Sequence, residues 1–259
     1  MKHPIRALVS LIAASLLLLA CGGEERAKIS DASQLAGKEF AVPTGTVADQ
    51  LVKSKYPDAR FQYFNTVLDA ALAVKTGKAD AAAYDEPILR NIAAKNPGLR
   101  VLPEPITVDE YGFAVRLGDT GLKEAVDAVV AEARADGTYQ QMMDRWLPKQ
   151  GAPAAMPDVP VADGEVLRFG TSANNEPFSF VDGSREVVGL DIEIARRVAA
   201  RLGRRLEIVN MDFGAMIPAL IAGKVDVIGA CITITEERRK SVLFSEPYYR
   251  GGISALVRE

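Results

Sequence analysis

The sequence predicts an α/β fold built from two similar lobes. Three observations carry this. A helix-stop-strand pattern occurs twice, helical and strand-like stretches alternate in both halves, and a proline-rich stretch separates them. The first copy of the pattern runs from Val67 to Asp80 and ends Gly77-Lys78-Ala79-Asp80. The second runs from Phe213 to Asp226 and ends Gly223-Lys224-Val225-Asp226. In each, apolar residues fall at helical spacing, a glycine suits the left-handed position that ends a helix, and a short apolar run follows.

The elements follow in order. Residues 39–42 read as a strand, Thr44-Gly45-Thr46 as a turn, 47–55 as a helix and 61–64 as a strand. After the first copy of the pattern, residues 79–84 read as a buried strand. Pro87 opens a helix to about Lys95, which Asn96-Pro97-Gly98 stops. Residues 122–146 are helical, with a break at Asp136-Gly137. Four prolines between Pro148 and Gly164 mark a linker. Beyond it come a strand at 167–171, an amphipathic helix at 191–202, a strand at 206–210 and, after the second copy, a strand at 225–231.

Composition narrows the functional classes. The 259 residues are 48% hydrophobic and 25% charged, with a net charge of -3. That is ordinary for a globular protein of two domains and gives no reason to expect nucleic acid as a partner. The only histidine is His3, in a segment expected to be removed, so the mature chain has no imidazole. Ser-His-Asp and Cys-His nucleophiles and histidine metal sites are thereby excluded, and no metal or cofactor is expected.

At the N-terminus, Lys2, His3 and Arg6 precede an apolar run from Ala7 to Leu19, and Leu18-Leu19-Ala20-Cys21 follows. The run is short for a membrane span and reads as a signal peptide, residues 1–20. The last four residues resemble the lipobox of bacterial lipoproteins, which makes Cys21 the lipid attachment point and 21–28 a tether. Cys231 is then alone, and no internal disulfide forms.

Four short segments gather polar residues at C-terminal strand ends, where open α/β sheets bind ligands. One is Cys231-Ile232-Thr233-Ile234-Thr235-Glu236-Glu237-Arg238, with Thr235 as a helix N-cap. The others are Thr44-Gly45-Thr46, whose free N–H groups suit an anion; Tyr84-Asp85-Glu86-Pro87; and Ser172-Ala173-Asn174-Asn175-Glu176-Pro177. On composition alone Asp85 is an N-cap and Arg238 a surface charge, while Phe213 and Trp146 are core residues and Cys231 a small buried hydrophobe.

Pro177-Phe178-Ser179-Phe180, Gly189-Leu190-Asp191-Ile192-Glu193, Ile217-Pro218-Ala219-Leu220, Thr233-Ile234-Thr235-Glu236-Glu237-Arg238 and Phe244-Ser245-Glu246-Pro247-Tyr248-Tyr249 resemble the first lobe of family 3 of the bacterial periplasmic solute-binding proteins. Leu35-Ala36-Gly37-Lys38, Thr44-Gly45-Thr46, Asp85-Glu86-Pro87, Tyr111-Gly112-Phe113-Ala114-Val115 and Asp136-Gly137-Thr138-Tyr139 with Trp146 resemble its second lobe and final helix. The order is swapped relative to the family, as in a circular permutation opened at one hinge. The resemblance implies the type II periplasmic binding protein fold, two Rossmann-like lobes joined by two crossing strands. It implies a lobe at 29–115 ending in a crossing strand, helices at 116–148 packing on the other lobe, the linker at 149–165, the other lobe at 166–252 and a second crossing strand at 253–259.

The resemblance also implies the site. Arg238 would grip a ligand α-carboxylate, with Thr233, Thr44 and the backbone around Thr46 completing its hydrogen bonds. Asp85 would accept from the α-ammonium, and Phe213 would wall the ligand side chain, near Tyr84. Ser172 stands where some members carry an aspartate and Asn175 where some carry an aromatic, which argues against a strongly cationic ligand. Cys231 stands where glycine is common, which narrows the cleft. Pro43 offers no donor. The implied protein is a monomeric, lipid-anchored binder on the periplasmic or cell-surface side. It captures an amino acid for the permease of an ABC importer and has no catalytic residues. An enzyme resembling cyclohexadienyl dehydratase, with Glu176 or Glu86 as acid, is the rival, and a sensory binding protein without transport is a third reading.

Overall fold

The structure is a computed structural model that describes residues 28–148 and 154–259. The expected signal peptide and the expected lipid attachment point, Cys21, lie outside the described residues.

The chain first builds β1 (Glu39–Pro43), α1 (Ala48–Lys55), β2 (Arg60–Phe64), α2 (Val67–Lys75), β3 (Ala81–Asp85), α3 (Glu86–Lys95) and β4 (Leu99–Val101). It then crosses through β5 (Asp109–Tyr111) to β6 (Ala114–Arg116), α4 (Thr120–Asp136) and α5 (Thr138–Trp146). After the linker come β7 (Val166–Thr171), β8 (Asn174–Asn175), β9 (Ser179–Val181), β10 (Val187–Val188), α6 (Leu190–Arg201) and β11 (Arg205–Asn210). The chain closes with α7 (Met216–Ile221), β12 (Val227–Ile228), α8 (Glu236–Arg239), β13 (Val242–Phe244), β14 (Tyr249–Gly251) and β15 (Ile253–Arg258).

Two five-stranded sheets result, ordered β2-β1-β3-β15-β4 and β11-β7-β12-β6-β13. Numbered within each half, both read second, first, third, inserted strand, fourth. In both, the first three strands are parallel and the inserted strand, β15 or β6, is antiparallel. Each half therefore lends one strand to the other's sheet. β8, β9 and β10 form a small antiparallel sheet beside the second lobe.

Strand alternation explains the layering. In β1, Phe40 and Val42 pack on Ala48 and Val52 of α1, while Ala41 faces Val67, Ala70 and Ala71 of α2. In β7, Leu167 and Phe169 join the cluster holding Ile194, Ala195 and Val198 of α6. Helices thus cover both faces of the first sheet, and the mostly alanine β3 leaves room for them.

The repeated Gly-Lys-x-Asp pattern has one structural job in both lobes. The Asp80 carboxylate accepts from the Glu39 N–H at 2.9 Å, and Asp226 accepts from the Arg168 N–H at 3.0 Å. Each aspartate satisfies a backbone donor of the neighbouring parallel strand, while Gly77 (φ 76°) and Gly223 (φ 69°) end the helices left-handed.

α4 and α5 pack on α6. Glu193 of α6 is fully buried and accepts from Arg145 Nη1 at 2.7 Å, Trp146 Nε1 at 2.7 Å and Arg197 Nη2 at 2.8 Å. Trp146 is a core residue, as expected. The described part of the linker does not float, because Val159 is buried.

Two expectations are corrected. The lobes cross at the antiparallel pair β5 and β14, with Tyr111 opposite Tyr249 and Asp109 opposite Gly251. Residues 113–115 already run into the second sheet, and 253–258 form a full strand of the first. Just after the crossing Gly252 passes against Thr107, where a Cβ would lie 1.9 Å from its carbonyl oxygen, so only glycine fits there. The strand expected at 225–231 pairs only over Val227–Ile228, since Cys231 adopts a left-handed backbone (φ 52°) and leaves the ladder.

Candidate functional site

One small cavity lies between the lobes, lined by Thr46, Val47, Ala48, Tyr84, Asp85, Phe213, Cys231, Thr233, Arg238 and Ile253. Seven of the ten residues expected in the ligand site are among these. They arrive from both sheets.

The Arg238 side begins with Thr233. Its segment is pinned to the hinge, as the Gly112 N–H donates to the Ile232 carbonyl at 3.1 Å and the Ile234 N–H to the Glu110 carbonyl at 2.9 Å. The Thr235 hydroxyl then caps α8 by accepting from the Arg238 N–H at 3.2 Å. That cap sets the direction in which Arg238 leaves the helix. Its guanidinium donates through Nη1 to the Thr233 carbonyl at 3.0 Å and through Nη2 to the Gly45 carbonyl, across the cleft, at 3.4 Å. It also lies 5.5 Å from the Phe213 ring centre, a cation–π arrangement. Burial lowers its pKa, while Tyr84 and Asp85 oppose that shift.

Gly45 (φ 79°) provides the opposite contact. A Cβ there would lie 2.6 Å from the Gly214 Cα, so the two backbones meet as closely as glycines allow. The Thr46 hydroxyl donates back to the Pro43 carbonyl at 2.8 Å, which tightens the turn into α1.

Asp85 ends β3 and precedes α3, yet makes no side-chain cap bond. The N-cap explanation of this residue therefore fails. Its carboxylate accepts instead from the Tyr111 hydroxyl. Burial pushes its pKa up to about 7; the Tyr111 bond opposes the shift and Asp109 adds to it.

Cys231 is held in its left-handed turn by Asp191, whose Oδ2 accepts from the Cys231 N–H at 3.1 Å. Burial raises the Cys231 thiol pKa well above its usual value and raises that of Asp191 to about 7. The sulfur is therefore a protonated, poorly nucleophilic wall.

Three expected residues do not line the cavity. The Thr44 hydroxyl turns away to the Phe64 carbonyl at 3.1 Å. Ser172 is buried and donates to Asn174 Oδ1 at 3.1 Å. Asn175 is buried one layer back, accepting from the Tyr84 hydroxyl at 3.3 Å. Sequence reasoning missed Val47, Ala48 and Ile253 as lining residues, and missed the parts played by Tyr111 and Asp191. The last two sit inside motifs that were recognised, but nothing in a linear motif says which buried carboxylate meets which hydroxyl. Glu86 and Glu176, the candidate acids for an enzyme, pair with Arg90 and Lys95 and lie outside the cavity lining.

Residues 167–259 match the family model described as bacterial extracellular solute-binding proteins, family 3. That segment, about a third of the chain, is similar to family 3. It carries Arg238, Thr233, Cys231 and Phe213, four of the residues that line the cavity. The arginine-binding extracellular protein ArtP of Bacillus subtilis (strain 168) is 41% identical over 83 residues, 32% of each chain. The ABC transporter arginine-binding protein 1 of Escherichia coli (strain K12) is 28% identical over 122 residues, 45% of this chain and 50% of that one. The matches to the first curated relatives span between 32% and 42% of those proteins' own length. The virulence sensor protein BvgS of Bordetella pertussis is 26% identical over 240 residues, 88% of this chain and 19% of the sensor. Among solved structures, the arginine-bound form of truncated ArgBP from T. maritima is 49% identical, covering 32% of this chain and 40% of that one, with a TM-score of 0.32. Beyond the family-3 segment, the two sheets share one strand order, so the whole described chain is a two-lobed α/β protein. No helix among the described residues is long and apolar enough to cross a membrane.

Proposed function

We propose that this protein captures an amino acid between its lobes and delivers it to an ABC importer from the outer side of a bacterial membrane, held there by lipid on Cys21. One observation carries the reading. A cation on one lobe, Arg238, and a carboxylate on the other, Asp85, face one cavity whose remaining walls are largely apolar. A zwitterion offers the complement of both. Arg238 keeps donors beyond those used on Thr233 and Gly45, and a guanidinium pairs bidentately with a carboxylate. Asp85 suits an ammonium. Closure strengthens both contacts by excluding water. Micromolar affinity corresponds to about 8 kcal/mol, within reach of two such charged contacts and a few neutral ones.

Binding rather than catalysis is favoured because, among the described residues, Asp85 is the one carboxylate lining the cavity, and its hydroxyl partner is Tyr111. The swapped order of the halves we read as a circular permutation, with the 149–165 linker joining the end of α5 to β7. Relatives named for arginine and glutamine binding support the amino-acid class. A sensory role has one observation in its favour, the alignment to a virulence sensor that runs through both halves in their present order. Either role needs the same capture step. The Arg238→Ala variant is expected to retain its fold and lose at least a hundredfold in amino-acid affinity by calorimetry; unchanged affinity would remove Arg238 from the site.

A further inference from the structure

At Cys231 the chain leaves the second sheet for the hinge. Val227 and Ile228 pair with β7 and β6, whereas Thr233 bridges to Tyr111 of β5. The Thr233 carbonyl then accepts from Arg238 Nη1 at 3.0 Å. The left-handed backbone of Cys231 (φ 52°) therefore sets where the arginine's anchor lies, and a residue with a side chain adopts that conformation at a cost. The bond that holds it comes from Asp191 of α6, whose Oδ2 accepts from the Cys231 N–H at 3.1 Å. Stability alone does not explain this carboxylate. It is fully buried, and its Oδ1 has no hydrogen-bond partner among the described residues. Tyr248 lies beside it, with a buried hydroxyl that is also unpaired among those residues. A buried carboxylate with an unmet oxygen costs free energy, so its benefit lies in what it holds.

We propose that Asp191 is a positioning residue for the ligand's α-carboxylate. By fixing the Cys231 turn it places the Thr233 carbonyl, and through that carbonyl it orients the Arg238 guanidinium. This rests on the capture of an amino acid proposed above. The ammonium end of the ligand does not depend on Asp191. Asp85 is carried by β3 in the other sheet and held by Tyr111, which β14 keeps in place from its far side. The alternative is a helix-start role, since an acid near a helix N-terminus suits the dipole. That role leaves the Cys231 bond unexplained, and it would not separate one end of a ligand from the other.

A thermal-shift screen of the twenty amino acids on the full chain chooses the ligand. Calorimetry then compares that amino acid with its α-carboxamide, which lacks the carboxylate, and with its Nα-acetyl form, which lacks the ammonium. The unaltered chain is expected to prefer the amino acid to the carboxamide by about a hundredfold. Asp191→Ala is expected to cut that preference at least tenfold while changing the preference over the acetyl form less than threefold. Asp191→Asn keeps an acceptor for the Cys231 N–H and should hold both preferences within threefold of the unaltered chain. Three results overturn the inference and leave amino-acid capture standing: equal loss of both preferences in Asp191→Ala, loss of neither, or an Asp191→Asn variant that behaves as Asp191→Ala does. If Asp191→Ala does not fold, amide exchange in the unaltered chain decides. The Cys231 N–H should then exchange at least tenfold more slowly with saturating amino acid than with saturating carboxamide, and equal rates overturn the inference. Failure of all twenty amino acids to bind removes both proposals.

Discussion

The hydroxyl of Tyr111, on crossing strand β5, donates to the carboxylate of Asp85 inside the cleft. The same ring stacks on Tyr249 of the other crossing strand, with centroids 5.7 Å apart. The acceptor proposed for the ligand's ammonium is thus tied to the hinge about which the lobes would turn. Movement at the hinge and the state of Asp85 are mechanically linked.

Affinity is expected to depend on pH through Asp85. Its pKa in the folded protein is about 7, well above the ordinary carboxylate value, mainly because it is buried. A raised carboxylate pKa stabilises the ligand-free fold fully below about pH 4, and that contribution is lost as pH rises through about 7. Asp191 acts in the same direction. The ligand-free melting temperature should therefore fall between pH 4 and 7 on account of these groups. An ammonium needs the ionised carboxylate, so amino-acid affinity should rise by up to about tenfold per pH unit below 7 and then level off. Tyr111→Phe removes a bond that favours the ionised form and should move the midpoint above 7. Calorimetry from pH 5 to 8 checks this; an affinity flat across that range would mean Asp85 does not meet the ammonium.

The two glycines at the lobe contact should behave differently. Gly45→Ala places a Cβ 2.6 Å from the Gly214 backbone and also strains a left-handed residue. It should hold the lobes apart and weaken binding by more than about tenfold, or 1.4 kcal/mol. Gly214→Ala meets Gly45 at an ordinary 3.6 Å and should bind nearly as the unaltered chain does. Small-angle scattering with and without ligand would show the difference in closure. Equal affinities in the two variants would mean that this contact does not limit it.

Glu193 tests the attachment of α5 to the second lobe. It is fully buried and meets Arg145, Arg197 and Trp146. Glu193→Ala strands these donors and should cost about 3–5 kcal/mol, as breaking a buried ion pair does. Thermal unfolding should shift down by about 10 °C. A shift within 1–2 °C would show that water takes the carboxylate's place.

Much of the architecture was legible because its signals are local. Gly77 and Gly223 stop helices wherever they occur, and Asp80 and Asp226 follow at a spacing that reaches the next strand. Thr235 caps α8 and aims Arg238 through contacts within five residues of chain. Asp85 was found by motif, although its composition suggested a helix cap. The exact crossing was misplaced by a few residues, because the choice of ladder for residues 109–116 and 249–258 depends on partners far away in sequence.

The sequence by itself determined two α/β lobes and the identity of the opposed charges, since periodicity, helix stops and caps act over a few residues. Only the tertiary structure decided that Tyr111 meets Asp85, that Asp191 holds Cys231 in its turn, that Gly45 touches Gly214, and that Tyr84 meets Asn175. Those are contacts between groups 26 to 169 residues apart. Burial creates their energies, and burial is a property of the packed molecule that no single segment carries.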